Sequence, residues 1–169
     1  MRMSSWNVLG CRGKMQEITK VMEQLGIDIA SITETKKKGF GSEVIGNYIH
    51  FCSGVPKENW AKRGVFSLFH KNCKHNITNW LCIDERIITV NINNLKTRFT
   101  FISVYGPNED EPVVNKEFFY ETFQRVITEF GKNIELVLIG DFNAALDAAV
   151  VALLLEGLEK KEVMIMEQD

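Results

Sequence analysis

A charge excess of one sign, closely spaced metal-binding side chains and long apolar runs are all missing from this sequence, and each absence closes off a class of function. Twenty Lys and Arg stand against 22 Asp and Glu, a formal net charge of -2. Sequence-independent grip on nucleic acid rests on many cations displacing counterions from phosphates, so a broadly basic binding protein is excluded and only a local basic rim could serve. Lys36, Lys37 and Lys38 offer one such rim and Lys57, Lys62 and Arg63 a second, although both also read as ordinary solvated loops. The four cysteines, Cys11, Cys52, Cys73 and Cys82, form no CxxC pair and are too sparse for a disulfide scaffold, which predicts reduced thiols inside a cell. His50, His70 and His75 give no HxxxH pair on a helix, so a zinc role is not expected. The first residues lack a basic stretch followed by an apolar one and a small-residue cleavage site, and no secretion signal is expected. The longest fully apolar run, Ala148 to Leu155, is far shorter than the roughly 20 residues that cross a bilayer.

What is present is an ordinary globular composition. With 169 residues, 45% apolar and 25% charged, the chain has the length of one soluble domain and enough apolar surface for a core. Ser4 to Leu9 predicts a short strand, broken by Gly10 to Gly13. From Lys14 to Leu25 the residues Met15, Ile18, Val21, Met22 and Leu25 recur at three- and four-residue steps, a helix with one apolar stripe that Gly26 ends. Ile27 to Thr33 follows as a buried strand. Tyr48 to Ser53, Gly64 to His70, Ile77 to Cys82, Arg86 to Ile92 and Thr97 to Tyr105 are short β-rich segments between polar turns, with Asn93-Asn94 as a hairpin turn, and consecutive antiparallel strands are their natural reading. After the Gly106-Pro107-Asn108 turn, Val114 to Phe130 predicts a helix whose core face holds Phe118, Phe119, Phe123, Val126, Ile127 and Phe130, closed by Gly131. Leu136 to Ile139 is then a buried strand. The pattern predicts an α+β layered domain with sheets face to face and helices outside, because the short polar turns leave no room for the crossovers of a purely parallel sheet.

Three of these strands end in polar residues of catalytic type, at Trp6-Asn7, at Thr33-Glu34 and at Gly140-Asp141-Phe142-Asn143. A carboxylate at the end of an apolar strand sits at the rim of a sheet, facing a cleft on a rigid backbone, and two together can hold a hard divalent cation by oxygen. Each alone reads equally as a structural turn. In order, Ser5-Trp6-Asn7-Val8, Ile32-Thr33-Glu34-Thr35-Lys36, Ser103-Val104-Tyr105-Gly106-Pro107-Asn108 and Ile139-Gly140-Asp141-Phe142-Asn143-Ala144 resemble the motifs of the endonuclease/exonuclease/phosphatase superfamily. Arg63-Gly64-Val65 and Asp84-Glu85-Arg86-Ile87-Ile88 fall at its GV and RI-type strands, which makes retrotransposon-type endonucleases and the craniofacial development protein 2 group the nearest in kind. The resemblance implies a four-layered α/β sandwich, two mixed β-sheets flanked by helices. It implies Glu34 as the ligand of Mg²⁺, with Mn²⁺ an alternative, and Asn7 as its hydrogen-bonding neighbour. Tyr105 and Asn143 would donate to phosphate, Asp141 would orient or deprotonate the attacking water, and Asn108 would line the cleft. DNA is the implied substrate and the nucleus the implied location.

The resemblance covers about residues 3 to 144, so residues 1–144 read as the amino-terminal part of such a domain. Leu9 stands where some DNA-repair members carry an acidic residue. The family's later Asp and its closing Ser-Asp-His motif have no match, since no histidine follows His75. Residues 145–169 read instead as an Ala- and Leu-rich helical tail, and self-association or partner binding through Ala148 to Leu155 is one role for it. The sandwich is therefore expected to be incomplete on its carboxy-terminal side and hydrolysis to be impaired, because catalytic groups act as a unit. Two other readings stay open, a non-catalytic remnant or interaction module on the same scaffold and a phosphoinositide-type phosphatase.

Overall fold

The chain begins with a strand, helix, strand unit, in which β1 (Met3–Asn7) and β2 (Ile29–Thr33) lie parallel and α1 (Met15–Leu25) crosses between them. Gly26 ends α1 in the left-handed region, φ 62°, where a residue without Cβ is unstrained, and the Ile27 N–H closes back on Met22 O at 2.9 Å. In this computed structural model the structure describes residues 1–60, 63–93, 98–131, 135–143 and, as backbone, 163–167.

Three antiparallel strands complete the first sheet: β3 (Gly41–Ile45), β4 (Tyr48–Ser53) and β5 (Val65–His70), in the order β1-β2-β5-β4-β3. A 3-10 turn at Lys71–Asn76 carries the chain to the second sheet, which holds β6 (Ile77–Asp84), β7 (Ile87–Asn93) and β8 (Arg98–Tyr105) as an antiparallel meander. Helix α2 (Val113–Phe130) is then the crossover to β9 (Glu135–Asp141), parallel to β8, and β10 (Val163–Glu167) pairs parallel with β9, giving the order β10-β9-β8-β7-β6.

Alternation along the strands sorts the core into three slabs. Ile29, Phe51, Val65, Phe69, Ile88, Val90, Phe101 and Ile139 fill the space between the sheets, where Phe69 and Phe101 meet edge to face at 5.1 Å. Met22, Ala30, Ile32, Phe66 and Leu68 form the slab under α1, and Ile102, Val104, Phe119, Phe123, Ile127 and Leu138 the one under α2. Helix, sheet, sheet, helix is the four-layered sandwich with two mixed sheets that the motifs implied.

Four expectations need correction. Phe118 is 64% exposed rather than core, because neighbouring residues on a helix point about 100° apart and Phe119 takes the inward position. Val21 and Leu25 are likewise exposed on α1, whose inner face runs through Met15, Ile18, Thr19 and Met22. β3 was not foreseen, since Ser42, Glu43 and Val44 are exposed and carry no alternating pattern. The helical reading of 145–169 fails at Val163–Glu167, a β-branched and apolar run whose backbone finds its partners on the edge of β9. Ala148 to Leu155 lies outside the described residues, as does Asn94 of the expected hairpin turn.

Candidate active site at the open end of the sandwich

On β1 the inward positions are Met3, Ser5 and Asn7, and Asn7 is the last, level with Thr33 of β2. One residue on, Glu34 turns back with φ 51°. On the facing sheet Tyr105 ends β8 and stands level with Asp141, the end of β9. Four strand ends from two sheets thus converge at one mouth of the sandwich, and two hydrogen bonds cross it. The Asn7 amide Nδ2 donates to Asp141 Oδ2 at 2.9 Å, and the Tyr105 hydroxyl donates to Glu34 Oε1 at 3.0 Å. The paired residues are 134 and 71 positions apart in sequence, so only the packed sandwich brings them together.

The side chains are held in fixed orientations. Asn7 Oδ1 accepts from the Leu9 N–H at 3.2 Å, which leaves its NH₂ pointing at Asp141. The other Asp141 oxygen, Oδ1, accepts from the Asn143 N–H at 3.1 Å, and Asn143 Nδ2 donates to Gly106 O at 2.8 Å. Leu9, Glu34, Lys36 and Asn143 all have positive φ, a conformation costing an L-residue roughly 1 kcal/mol or more. Glu34 and Asn143 belong to the cluster itself, so backbone strain is concentrated at this mouth. Gly106 is required by close approach, since a Cβ there would lie 2.3 Å from Phe142 O.

Beneath the mouth sits a brace built on Arg86, which the sequence offers only as part of a strand motif. Arg86, 5% exposed, donates through Nη1 to Tyr105 O at 3.1 Å and Gly106 O at 2.9 Å, and through Nη2 to both oxygens of Glu111 at 2.5 and 2.7 Å. Glu111 also accepts from Arg63 at 2.7 Å and from the Asn108 N–H at 3.2 Å. Burial pushes the Glu111 carboxyl up, but the Arg86 hydrogen bonds and charge outweigh it and leave the pKa below its ordinary value. The same guanidinium lies 5.4 Å from the Tyr105 ring centre. Desolvation first, and then the bond to Glu34, push the Tyr105 hydroxyl far above its ordinary pKa, so it stays protonated and acts as a donor.

Of the residues the sequence singled out, the structure brings Asn7, Glu34, Tyr105, Asp141 and Asn143 together. Asn108 lies on the adjoining turn, half-buried, tied through its backbone to Glu111 and making no hydrogen bond with those five. Arg86 was legible only as a strand marker, and Glu111 was hidden in an acidic turn that reads as solvated. Among the described residues no three His, Cys, Asp or Glu side chains converge on one point. The donors at the mouth are carboxylate, amide and hydroxyl oxygens from Glu34, Asp141, Asn7 and Tyr105, a set that suits a hard, water-rich cation and not zinc. One oxygen of Glu34 is engaged by Tyr105, and both of Asp141 by N–H donors.

The model of the Endonuclease/Exonuclease/phosphatase family matches residues 4–160. Craniofacial development protein 2 of Bos taurus is 29% identical over 142 residues, which are 83% of this chain and 24% of that protein, and the Tragulus javanicus protein of the same name is 27% identical over an equal span. The chain thus spans about a quarter of the length of these curated relatives. Among solved structures, the catalytic domain of Xenopus laevis APE2 superposes with a TM-score of 0.65 at 18% identity, covering 85% of this chain and 58% of that one. The endonuclease domain of TRAS1, a telomere-specific non-LTR retrotransposon, gives 0.59 at 18% identity, covering 86% and 60%. At such identities these structures speak for the fold.

Proposed function

The chain belongs to the endonuclease/exonuclease/phosphatase family, and from that premise we propose that it is a phosphodiesterase of endonuclease type, acting on DNA with Mg²⁺ at the mouth of the sandwich. The observation that carries the reading is the pair of hydrogen bonds across the mouth, Asn7 to Asp141 and Tyr105 to Glu34, which bring two carboxylates from different sheets to one end of the sandwich.

Glu34 would hold the cation through the oxygen that Tyr105 leaves free, Mg²⁺ by preference and Mn²⁺ as a substitute. When bound it neutralises phosphate charge and stabilises the leaving oxygen. The protein's own groups do the rest. Asp141, oriented by the Asn7 amide and the Asn143 N–H, accepts the proton of the attacking water. Asn143 has a second amide hydrogen beyond the one given to Gly106, and donates it to a phosphate oxygen as charge builds there. Tyr105, protonated throughout, exchanges its bond to Glu34 for a phosphate oxygen. Asn108 flanks the path of the strand. The cluster includes no histidine, so the leaving oxygen takes its proton from water and turnover is slow.

DNA is preferred to a phosphoinositide because the similar folds include a retrotransposon endonuclease domain. The test incubates the protein and Mg²⁺ with a fluorophore-labelled DNA duplex and, separately, with an inositol polyphosphate. Strand cleavage without release of inorganic phosphate is the expected result. Phosphate release with intact DNA would replace this reading with the phosphatase one.

A further inference from the structure

Two loops leave the sandwich beside the mouth and carry side chains that the hydrolytic cluster does not use. The first runs from Glu34 to Phe40 and the second from Gly54 to Trp60. They are zipped together by the parallel bridge of Lys38 with Val55, by the Gly39 N–H on Val55 O at 2.7 Å and by Lys38 Nζ on Lys57 O at 3.0 Å. A turn closed by the Asn59 N–H on Pro56 O leads to Trp60. The backbone is thus ordered, yet its rings stand in water. Phe40 is 77% and Trp60 87% exposed, the two most exposed aromatic side chains described. A cleft beside Phe40 is lined by Lys38, Pro56 and Lys57 on one side and by Asp84 and Glu85 on the other.

Charge sorts these groups further. Lys37 is spent on Glu43 at 2.8 Å and Glu85 on Arg63 at 2.9 Å. Among the described residues Lys38 and Lys57 form no ion pair, and the carboxylates beside them are Asp84 in the cleft and the exposed Glu58 next to Lys57. Two open aromatic faces and two ammonium groups without an ion-pair partner therefore lie on one bridged pair of loops, the first of which leaves Glu34 directly.

Bases present faces for stacking only when their strand is unpaired, and such binding combines base stacking with cations tracking the phosphates. We propose that this rim is a stacking platform for an unpaired strand of nucleic acid at the active site, with Phe40 and Trp60 stacking on bases and Lys38 and Lys57 meeting phosphates. The proposal rests on the nuclease reading for the presence of a strand. It deepens that reading by assigning a preference for substrate with unpaired bases beside the scissile phosphate.

The test is anisotropy of a labelled oligothymidylate and of a duplex of equal length, measured in EDTA so that no cleavage intrudes. The wild-type protein is expected to favour the oligothymidylate. Phe40→Ala and Trp60→Ala each weaken that binding by roughly tenfold and leave duplex binding unchanged. Lys57→Gln makes the fall of log affinity with log salt shallower by about 0.7. Because both rings are exposed, the Ala variants keep the wild-type thermal midpoint, which is checked alongside. Equal affinity for both probes, or Ala variants that bind oligothymidylate like wild type, would overturn the platform. Failure of plasmid cleavage with the stacking result intact would remove the hydrolytic reading alone, and cleavage without any effect of the substitutions would remove the platform alone.

Discussion

His50 sits wholly buried on β4, its Nδ1 3.1 Å from Glu43 Oε1 and its ring edge-on to Phe66 at 4.3 Å. Burial, and then the Lys37 charge, lower its pKa to about 4, against the pull of Glu43 in the other direction. The ring is therefore neutral at pH 7, and its contact with Glu43 is a hydrogen bond rather than an ion pair. Below pH 6.5 the unfolded chain takes up a proton that the folded one refuses until about pH 4, so the stability from this residue is complete above pH 6.5 and is lost as pH falls toward 4. At about 1.4 kcal/mol per pH unit the loss is about 3 kcal/mol across that window. Urea titrations of wild type and His50→Leu between pH 7 and 4 should show it as a steeper decline in the wild type, and parallel declines would contradict it. None of this was legible in the sequence, where His50 is a strand histidine like any other. The cluster residues Asn7, Glu34, Tyr105, Asp141 and Asn143 were legible, because each ends an apolar strand in a recognisable motif. The left-handed backbone at Glu34 and Asn143 was not, since nothing in a Glu or Asn announces a positive φ.

At the scale of elements, the β8 to α2 connection depends on the brace under it. Arg86 on the turn into β7 holds the Tyr105 and Gly106 carbonyls, and Glu111 ties Arg86, Arg63 and the Asn108 N–H into the entry of α2. Removing one partner of so buried a pair leaves the other charge unpaired, whereas removing both is far milder. Glu111→Gln is expected to lower unfolding free energy by about 3 kcal/mol, with Arg86→Met/Glu111→Leu costing less than the two single changes added together. Chemical denaturation of the four proteins checks this, and strict additivity would mean the pair is not coupled. The turn itself was readable from Gly106-Pro107-Asn108. The brace was not, because its members are 25 residues apart and only the β7 to β8 pairing brings them together.

For the whole molecule, the layering was legible because short β-rich segments and two apolar helix faces leave few arrangements that bury both. What periodicity could not supply was the division of the middle strands between two sheets. β5 and β6 follow one another with only a 3-10 turn between them, yet lie in opposite layers, and that switch is what sets β1 and β2 facing β8 and β9. β10 was lost to the Ala- and Leu-rich stretch that precedes it, whose composition speaks for helix. The chain matches 58% of the APE2 catalytic domain and 24% of its Bos taurus relative, so any further groups of a whole protein would be added to this frame.

On the reading proposed above, the five residues at the mouth form a working metal-dependent site. It is tested by nicking of supercoiled plasmid by the purified protein with Mg²⁺, beside Glu34→Ala, Asp141→Ala and an EDTA blank. Slow nicking is expected, abolished by EDTA and lowered at least about a hundredfold by each substitution. No nicking by folded wild-type protein, or nicking that survives both substitutions, would contradict it.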